Sequence, residues 1–188
     1  ITPLPVEPVQ TEARRQEVER DVPATTIVIA FHMGDRLSKD FYLGDITSDL
    51  LAGGDSARLY EHLIKGKSLF ASVNAYISGD VDEGMFVFTG QLLPTTSEQE
   101  AEAAFWQEIA LLQGAEISDY ELEKVKNKFE ANTLFGELNV MNKAMNLGYY
   151  SMLGLPSLIN GEVAIYRSIT AEEIMEGCRR IFTPERSS

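Results

Sequence analysis

Cysteine occurs once in this 188-residue sequence, at Cys178, and histidine only twice, at His32 and His62. One cysteine excludes an intrachain disulfide and any cysteine-rich zinc site, and it leaves the redox compartment open. Two histidines in different predicted elements fall short of the three protein ligands that hydrolytic zinc ordinarily takes. Basic residues are scarce as well. Sixteen Lys and Arg against 29 Asp and Glu give a net charge of −13, which argues against nucleic acid or an anionic membrane as a partner. The commoner meaning of such acidity is solubility, although a chamber for basic or unfolded peptides is compatible with it. There is no G-x-S-x-G elbow, and the one glycine pair, Gly53-Gly54, opens neither G-x-G-x-x-G nor a P-loop. No 18-residue apolar run occurs, so no membrane-spanning helix is predicted, and no signal peptide is recognisable. Cytoplasmic and periplasmic locations both stay open.

What is present is the composition of an ordinary globular chain, 44% hydrophobic and 24% charged, long enough for one well-buried domain. The sequence opens at Ile1 and runs straight into a Pro- and Glu-rich segment, as an excised piece of a longer chain would. Residues 1–24 predict a linker with an edge strand around Gln16–Val22, and residues 25–188 a single domain. In "TTIVIAFHMG" both parities are apolar, which predicts a strand covered on both sides. "SKDFYLGDITSDLLAGG" predicts a helix with a glycine stop, and Asp55 is placed to cap a short helix running to about Lys65. "SLFASVNAYIS" alternates, with Leu69, Ala71, Val73, Ala75 and Ile77 on one face; "GDVDEG" is a turn and "MFVFTGQLL" the returning strand of an antiparallel hairpin.

The second half reads as helical. Ser97 with Glu100, Ser118 with Glu121 and Thr170 with Glu173 form three capping boxes. From Ser118 the apolar positions Leu122, Val125, Phe129, Leu134, Leu138, Met141 and Met145 recur near the helical period, with a bend or break at Gly136. The Met141–Met145–Met152 stripe is assigned to the core, and the Glu-rich turns Glu98–Glu108 and Glu121–Glu123 to solvated helix faces. Two further helices close the chain, and a closing strand could begin at "TPERSS". Strands and helices segregate instead of alternating, which predicts an α+β fold: a mainly antiparallel sheet with helices packed on one face.

Arg58-Leu59-Tyr60-Glu61-His62 is one substitution from H-x-x-E-H, the pattern in which two His bind zinc and a Glu activates water. Arginine cannot stand in for the missing ligand, because the guanidinium stays protonated and has no lone pair. His32, in an apolar strand, reads as a core or edge histidine with a hydrogen-bonded ring, and His62 as a surface residue at a helix end. Residue chemistry alone therefore stops at an α+β domain without a self-sufficient active site and without a metal of its own.

The block "LLAGGDSARLYEHLIKGKSLFASVNAYISGDVDEGMFVFTG" carries Gly53, Gly54, Ser56, Arg58 and Leu59, then Gly84 and Phe86. Its order, a helix ending in Gly-Gly, S-x-R-L, a strand and a strand opening with G-x-F, resembles the second, non-zinc-binding domain of the pitrilysin or insulinase superfamily of zinc metallopeptidases. Glu121, Leu122 and Lys126 resemble that family's E-L-x-x-x-K helix, and Thr170, Glu173 and Ile174 its closing helix. The resemblance implies that zinc and H-x-x-E-H belong to a missing N-terminal catalytic domain, and that this chain forms part of a peptide-binding chamber as a non-catalytic C-terminal domain. The partners it implies are that N-terminal domain, a homologous subunit in a homo- or heterodimer, and peptide substrates. Active relatives place an Arg and a Tyr in L-R-x-x-x-x-L-x-Y. The matching positions here are Ile64 and Ala71, so that pair is missing, and Lys65, Lys67 and Tyr76 are the substitutes considered for substrate contact. The alternative is a structural scaffold or inactive partner subunit, as in processing-peptidase or respiratory core subunits.

Overall fold

Apolar, β-prone runs form three strands, β1 (Thr26–Met33), β2 (Phe70–Ser78) and β3 (Gly84–Leu92), paired antiparallel in the order β1-β3-β2. The structure, a computed structural model, describes residues 8–79, 81–114 and 117–188. The first seven residues of the predicted linker and Asp80 of the predicted hairpin turn lie outside them. Among the described residues there are six α-helices, α1 (Lys39–Ala52) between β1 and β2, and, after β3, α2 (Glu98–Gly114), α3 (Asp119–Glu137), α4 (Val140–Met152), α5 (Leu158–Ser168) and α6 (Ala171–Ile181). The fold is α+β, as the segregated pattern predicts.

One face of the sheet is buried and the other is open. Ile29, Phe31 and Met33 of β1 point into the core, and so do Phe86 and Phe88 of β3. Phe31 packs edge-on to Phe182 just after α6, with centroids 5.1 Å apart, and stacks at 6.3 Å on Phe105 of α2; Phe86 meets Phe182 at 4.7 Å and Phe88 meets Phe105 at 4.5 Å. Each such ring pair adds about 0.5–1.5 kcal/mol beyond area burial. On α6, Ile174, Cys178 and Ile181 form the inner stripe. Burial pushes the Cys178 thiol up to about 11, so it stays protonated and behaves as a core hydrophobe.

Val28 is 57% exposed and Thr26 is exposed, so β1 is not covered on both sides as its composition predicts. The second apolar parity is a strand edge with an open face. Alternation in β2 is interrupted by a bulge between Phe70 and Ser72, which turns Ala71 outward and leaves Val73, Ala75 and Ile77 on the core side. The short helix before β2 is a π-helix, Tyr60–Gly66, and Asp55 lies in the preceding turn without capping it.

Capping boxes are complete at Ser118–Glu121 and Thr170–Glu173, while Ser97 accepts only from the Glu100 amide. The long apolar run does break, with Asn139 capping α4 after α3 ends at Glu137. Met141, Met145 and Met152 are 67%, 58% and 70% exposed. They are not core residues: α4 faces the body with its other side, through Tyr150.

That inner side is held by a buried polar cluster. Arg36, in the loop after β1, pairs with Glu162 of α5, which also accepts from the Tyr150 hydroxyl. The guanidinium lies 4.2 Å from the Phe41 ring centroid and donates to the Tyr42 hydroxyl at 3.3 Å. Burial pulls the Arg36 value down, but the hydrogen bond and charge of Glu162 more than offset it. Tyr166 of α5 donates to Asp45 of α1 at 2.5 Å and stacks on Phe129 of α3. Loss of one partner from a buried pair like Arg36–Glu162 costs about 3–5 kcal/mol.

The turn after α1 is clamped to α3. Gly54, at φ +131°, closes α1 in a conformation that suits glycine. Lys128 donates to the Gly53 carbonyl at 3.2 Å, Lys124 to the Ser56 carbonyl at 3.1 Å, and Arg58 makes two bonds to Glu121 at 2.9 and 3.1 Å. Residues 121, 124 and 128 lie on one helical face, and Leu59 between the contacts is fully buried. At Gly84 the reason for glycine is close approach: a Cβ would stand 2.3 Å from the Ser78 carbonyl oxygen. Gly84→Ala is expected to lower stability by about 1–3 kcal/mol in urea unfolding. The Arg58 hydrogen bond holds the Glu121 carboxyl down at about 2 from its ordinary 4.5. The folded value is the lower one, so this contribution is present above pH 4.5 and fades as the pH falls toward 2. Arg58→Ala is expected to lose about 2 kcal/mol at pH 7 and to flatten stability between pH 4.5 and 2; an unchanged acid limb would assign it to other groups.

Candidate functional site

Backbone parity defines the most distinctive surface. Ala30 exchanges both main-chain hydrogen bonds with Ser188, each 2.9 Å long, so its N–H and C=O point away from β3. Both groups of one residue face the same side of a strand, and the sides alternate. Val28 and Thr26, two and four residues earlier, therefore also aim their N–H and C=O groups outward. No backbone partner for either is found there among the described residues.

A groove of about 860 Å³ lies along this edge. Arg14–Arg20 and Val22 line it as well, and this segment forms no strand, so the edge strand expected at Gln16–Val22 is not present. At one end Arg14 N–H and Gln10 Nε2 donate to the Ser187 carbonyl at 3.0 and 2.7 Å, while Ser188 pairs with β1. Arg14 thus stands two strand spacings, about 10 Å, from β1, with Ser187–Ser188 started as a strand between them. Farther along, Ile27, Ile29 and Trp106 line the groove, and Trp106 is edge-on to Phe31 at 5.7 Å. The rim mixes both charges: Arg15 bonds Glu102 at 2.7 Å and Glu17 at 3.2 Å. Exposed pairs of this kind contribute little. The groove thus offers an unpaired backbone edge, an apolar floor and a polar rim, which suits an extended peptide better than a small polar ligand.

A second, shallower hollow of about 570 Å³ contains Glu61, His62, Lys67, Gln107 and Glu108. His62 Nδ1–H donates to Glu108 Oε2 at 2.7 Å. Glu108 is only 3% exposed, so this part of the Glu-rich helix is not solvated as its composition predicts. The signal was in the spacing: position 108 continues the stripe of Ala101, Ala104, Phe105 and Leu112.

The residues considered for substrate contact do not converge. Lys65 bonds Glu61 at 2.7 Å, and Lys67 bonds Gln107 of α2 at 2.7 Å on the helix side. Tyr76 lies on β2 opposite Val87, on the open face of the sheet. Ile64 packs against the core and Ala71 is exposed at the bulge. His32 is half-buried on β1, and its carbonyl accepts from Arg186. Thr26, Val28 and Trp106 escaped sequence reasoning, because an unpaired edge is a property of pairing.

The near-match to H-x-x-E-H does not fit zinc. Arg58 reaches α3 through Glu121, whereas His62 reaches α2 through Glu108, so the two ends of the pattern point to different helices. Among the described residues no group of three His, Cys, Asp or Glu is arranged to hold a metal. Arg58→His is expected to leave the purified chain without stoichiometric zinc in elemental analysis. One bound zinc per chain in that variant would reinstate the pattern as a dormant site.

A family model described as the peptidase M16 inactive domain matches residues 1–129. An uncharacterized zinc protease of Rickettsia bellii is 22% identical over 173 residues, spanning 91% of this chain and 42% of that protein. A protease from Helicobacter pylori has the same fold, with a TM-score of 0.89 and 20% identity over 96% of this chain and 44% of that one. A chain of complex III2 from Candida albicans shares the fold at a TM-score of 0.75 and 14% identity, over 90% of this chain and 42% of that one. The chain thus spans about two-fifths of the length of these relatives. No described helix is long and apolar enough to cross a membrane. With more than half of its length matched, the chain belongs to the peptidase M16 inactive domain family.

Proposed function

We propose that this chain is the non-catalytic C-terminal domain of a zinc-dependent metalloendopeptidase and forms one wall of its peptide-binding chamber. The observation that carries the reading is the β1 edge: Thr26 and Val28 present unpaired main-chain groups over a floor containing Trp106. An extended peptide adds to such an edge through its backbone, which tolerates varied sequences, while an apolar side chain at alternate positions meets the floor. Zinc belongs, on this reading, to the other domain, because the donor set around His62 does not accommodate it.

The scaffold reading keeps one supporting observation. The positions matching the Arg and Tyr of active relatives hold Ile64 and Ala71, and a chain of complex III2 shares this fold. The two readings separate in one experiment, with an unstructured 20-residue peptide offered to the 188-residue chain and to the longer polypeptide, with and without EDTA. The expected outcome is EDTA-sensitive cleavage by the longer polypeptide alone, and slower hydrogen exchange at the Thr26 and Val28 amides of the chain when peptide is added. EDTA-sensitive cleavage by the isolated chain would overturn its non-catalytic role. A longer polypeptide with neither zinc nor cleavage would decide for the scaffold.

A further inference from the structure

On α4, Met141, Met145, Gly148 and Met152 follow one another at intervals of four, three and four residues, one face of a helix. All three methionines are exposed, and so are the small residues Ala144 and Gly148 beside them. Leu134 and Phe135 at the end of α3, and Leu138 just beyond it, are likewise exposed. Apolar residues scattered singly over a surface need no explanation, whereas several large ones aligned on one exposed helix face call for one. Its charge is also unusual for a chain of net −13: α4 contains no acidic residue, and its single cation, Lys143, pairs with Glu137 at 3.3 Å.

The opposite side of α4 is fixed. Tyr150 donates to Glu162, which Arg36 holds in turn, so the helix is anchored by a buried cluster and presents its methionines from a preformed platform. We propose that this face docks an apolar helical surface of the other domain of the same polypeptide, the domain to which the reading above assigns zinc, and the inference rests on that reading. Three arguments select this occupant over a second copy. The relatives matched over nine-tenths of this chain are more than twice its length, so comparable domains share a polypeptide with a region larger than themselves. A tethered partner docks at high effective concentration and does not need the roughly 800 Å² per partner of a free, stable dimer. Two copies would also bring together chains of net charge −13 each, whereas flexible methionines adapt to a surface unlike their own. The β1 groove shares no residue with α4, so the two surfaces do not overlap.

Methionine oxidation by dilute hydrogen peroxide, followed by peptide mass spectrometry, tests this directly. In the 188-residue chain Met141, Met145 and Met152 are expected to oxidise rapidly at every protein concentration. In the longer polypeptide they are expected to slow at least tenfold relative to Met85 on the open sheet face. Met141→Glu with Met145→Glu is expected to leave the circular dichroism of the short chain unchanged and to return Met152 of the longer polypeptide to within twofold of its short-chain rate. Equal rates in the two wild-type proteins would overturn the proposal, and so would protection of the short chain that grows with its concentration, which would assign the face to a second copy. Zinc content of the longer polypeptide is measured alongside: its absence together with protected methionines would overturn the zinc reading while supporting the docking face.

Discussion

A three-stranded sheet is stable here because one of its faces is sealed by aromatic rings. Phe31, Phe86 and Phe88 rise from β1 and β3 to meet Phe105 of α2 and Phe182 beyond α6. Two or three strands without such a covered face are marginal in water. All the helical cover is committed to that side, and this determines what is left over. The other face carries Thr26, Val28, Met85 and Tyr76 in the open, and among the described residues the outer edge of β1 is paired only where Ser187 and Ser188 reach it. The candidate site is thus the remainder of the same arrangement that builds the core.

Much of this was legible before any coordinates. Capping residues placed the starts of α3 and α6, Gly53-Gly54 placed the end of α1, and alternation placed the β2–β3 hairpin, because these signals act within a few residues. Misreadings arose where partners are distant in sequence. Both parities of β1 are apolar, and composition cannot tell a strand buried on two faces from an edge strand. Arg36, Tyr150 and Glu162 are spaced 114 and 12 residues apart, so nothing local announces that they form one buried cluster. The methionine stripe has the period of a core helix, and periodicity reports that a face is apolar without saying what covers it.

Arg58 and His62 show how a pattern misleads and then informs. Read as a string, Arg58-Leu59-Tyr60-Glu61-His62 is a damaged metal motif. In the fold its two ends serve different seams: Arg58 clamps the turn after α1 to α3 through Glu121, and His62 satisfies Glu108 on α2. Glu108 is the more constrained partner, since a buried carboxylate without a donor is costly. His62, though exposed, has its Nδ1 engaged by a buried carboxylate, which ties it to structure.

The two unpartnered surfaces differ in what they can recognise. A strand edge reads main-chain groups, which every peptide shares, and takes only a weak preference from its floor; transient and varied occupants suit it. A methionine stripe offers no hydrogen bonds and gains only from area removed from water. Contact of that kind rewards a lasting partner, because exposing the stripe again costs the whole burial energy at once. The buried Arg36–Glu162–Tyr150 cluster fits the second role better than the first: it fixes α4 in place, which lowers the ordering cost of a permanent interface. Segment 14–22, by contrast, is exposed, and its bonds to the rest of the domain are at Arg14 and Arg15. On the proposed reading, the anchored apolar face of α4 suits lasting contact and the open backbone edge of β1 suits exchange.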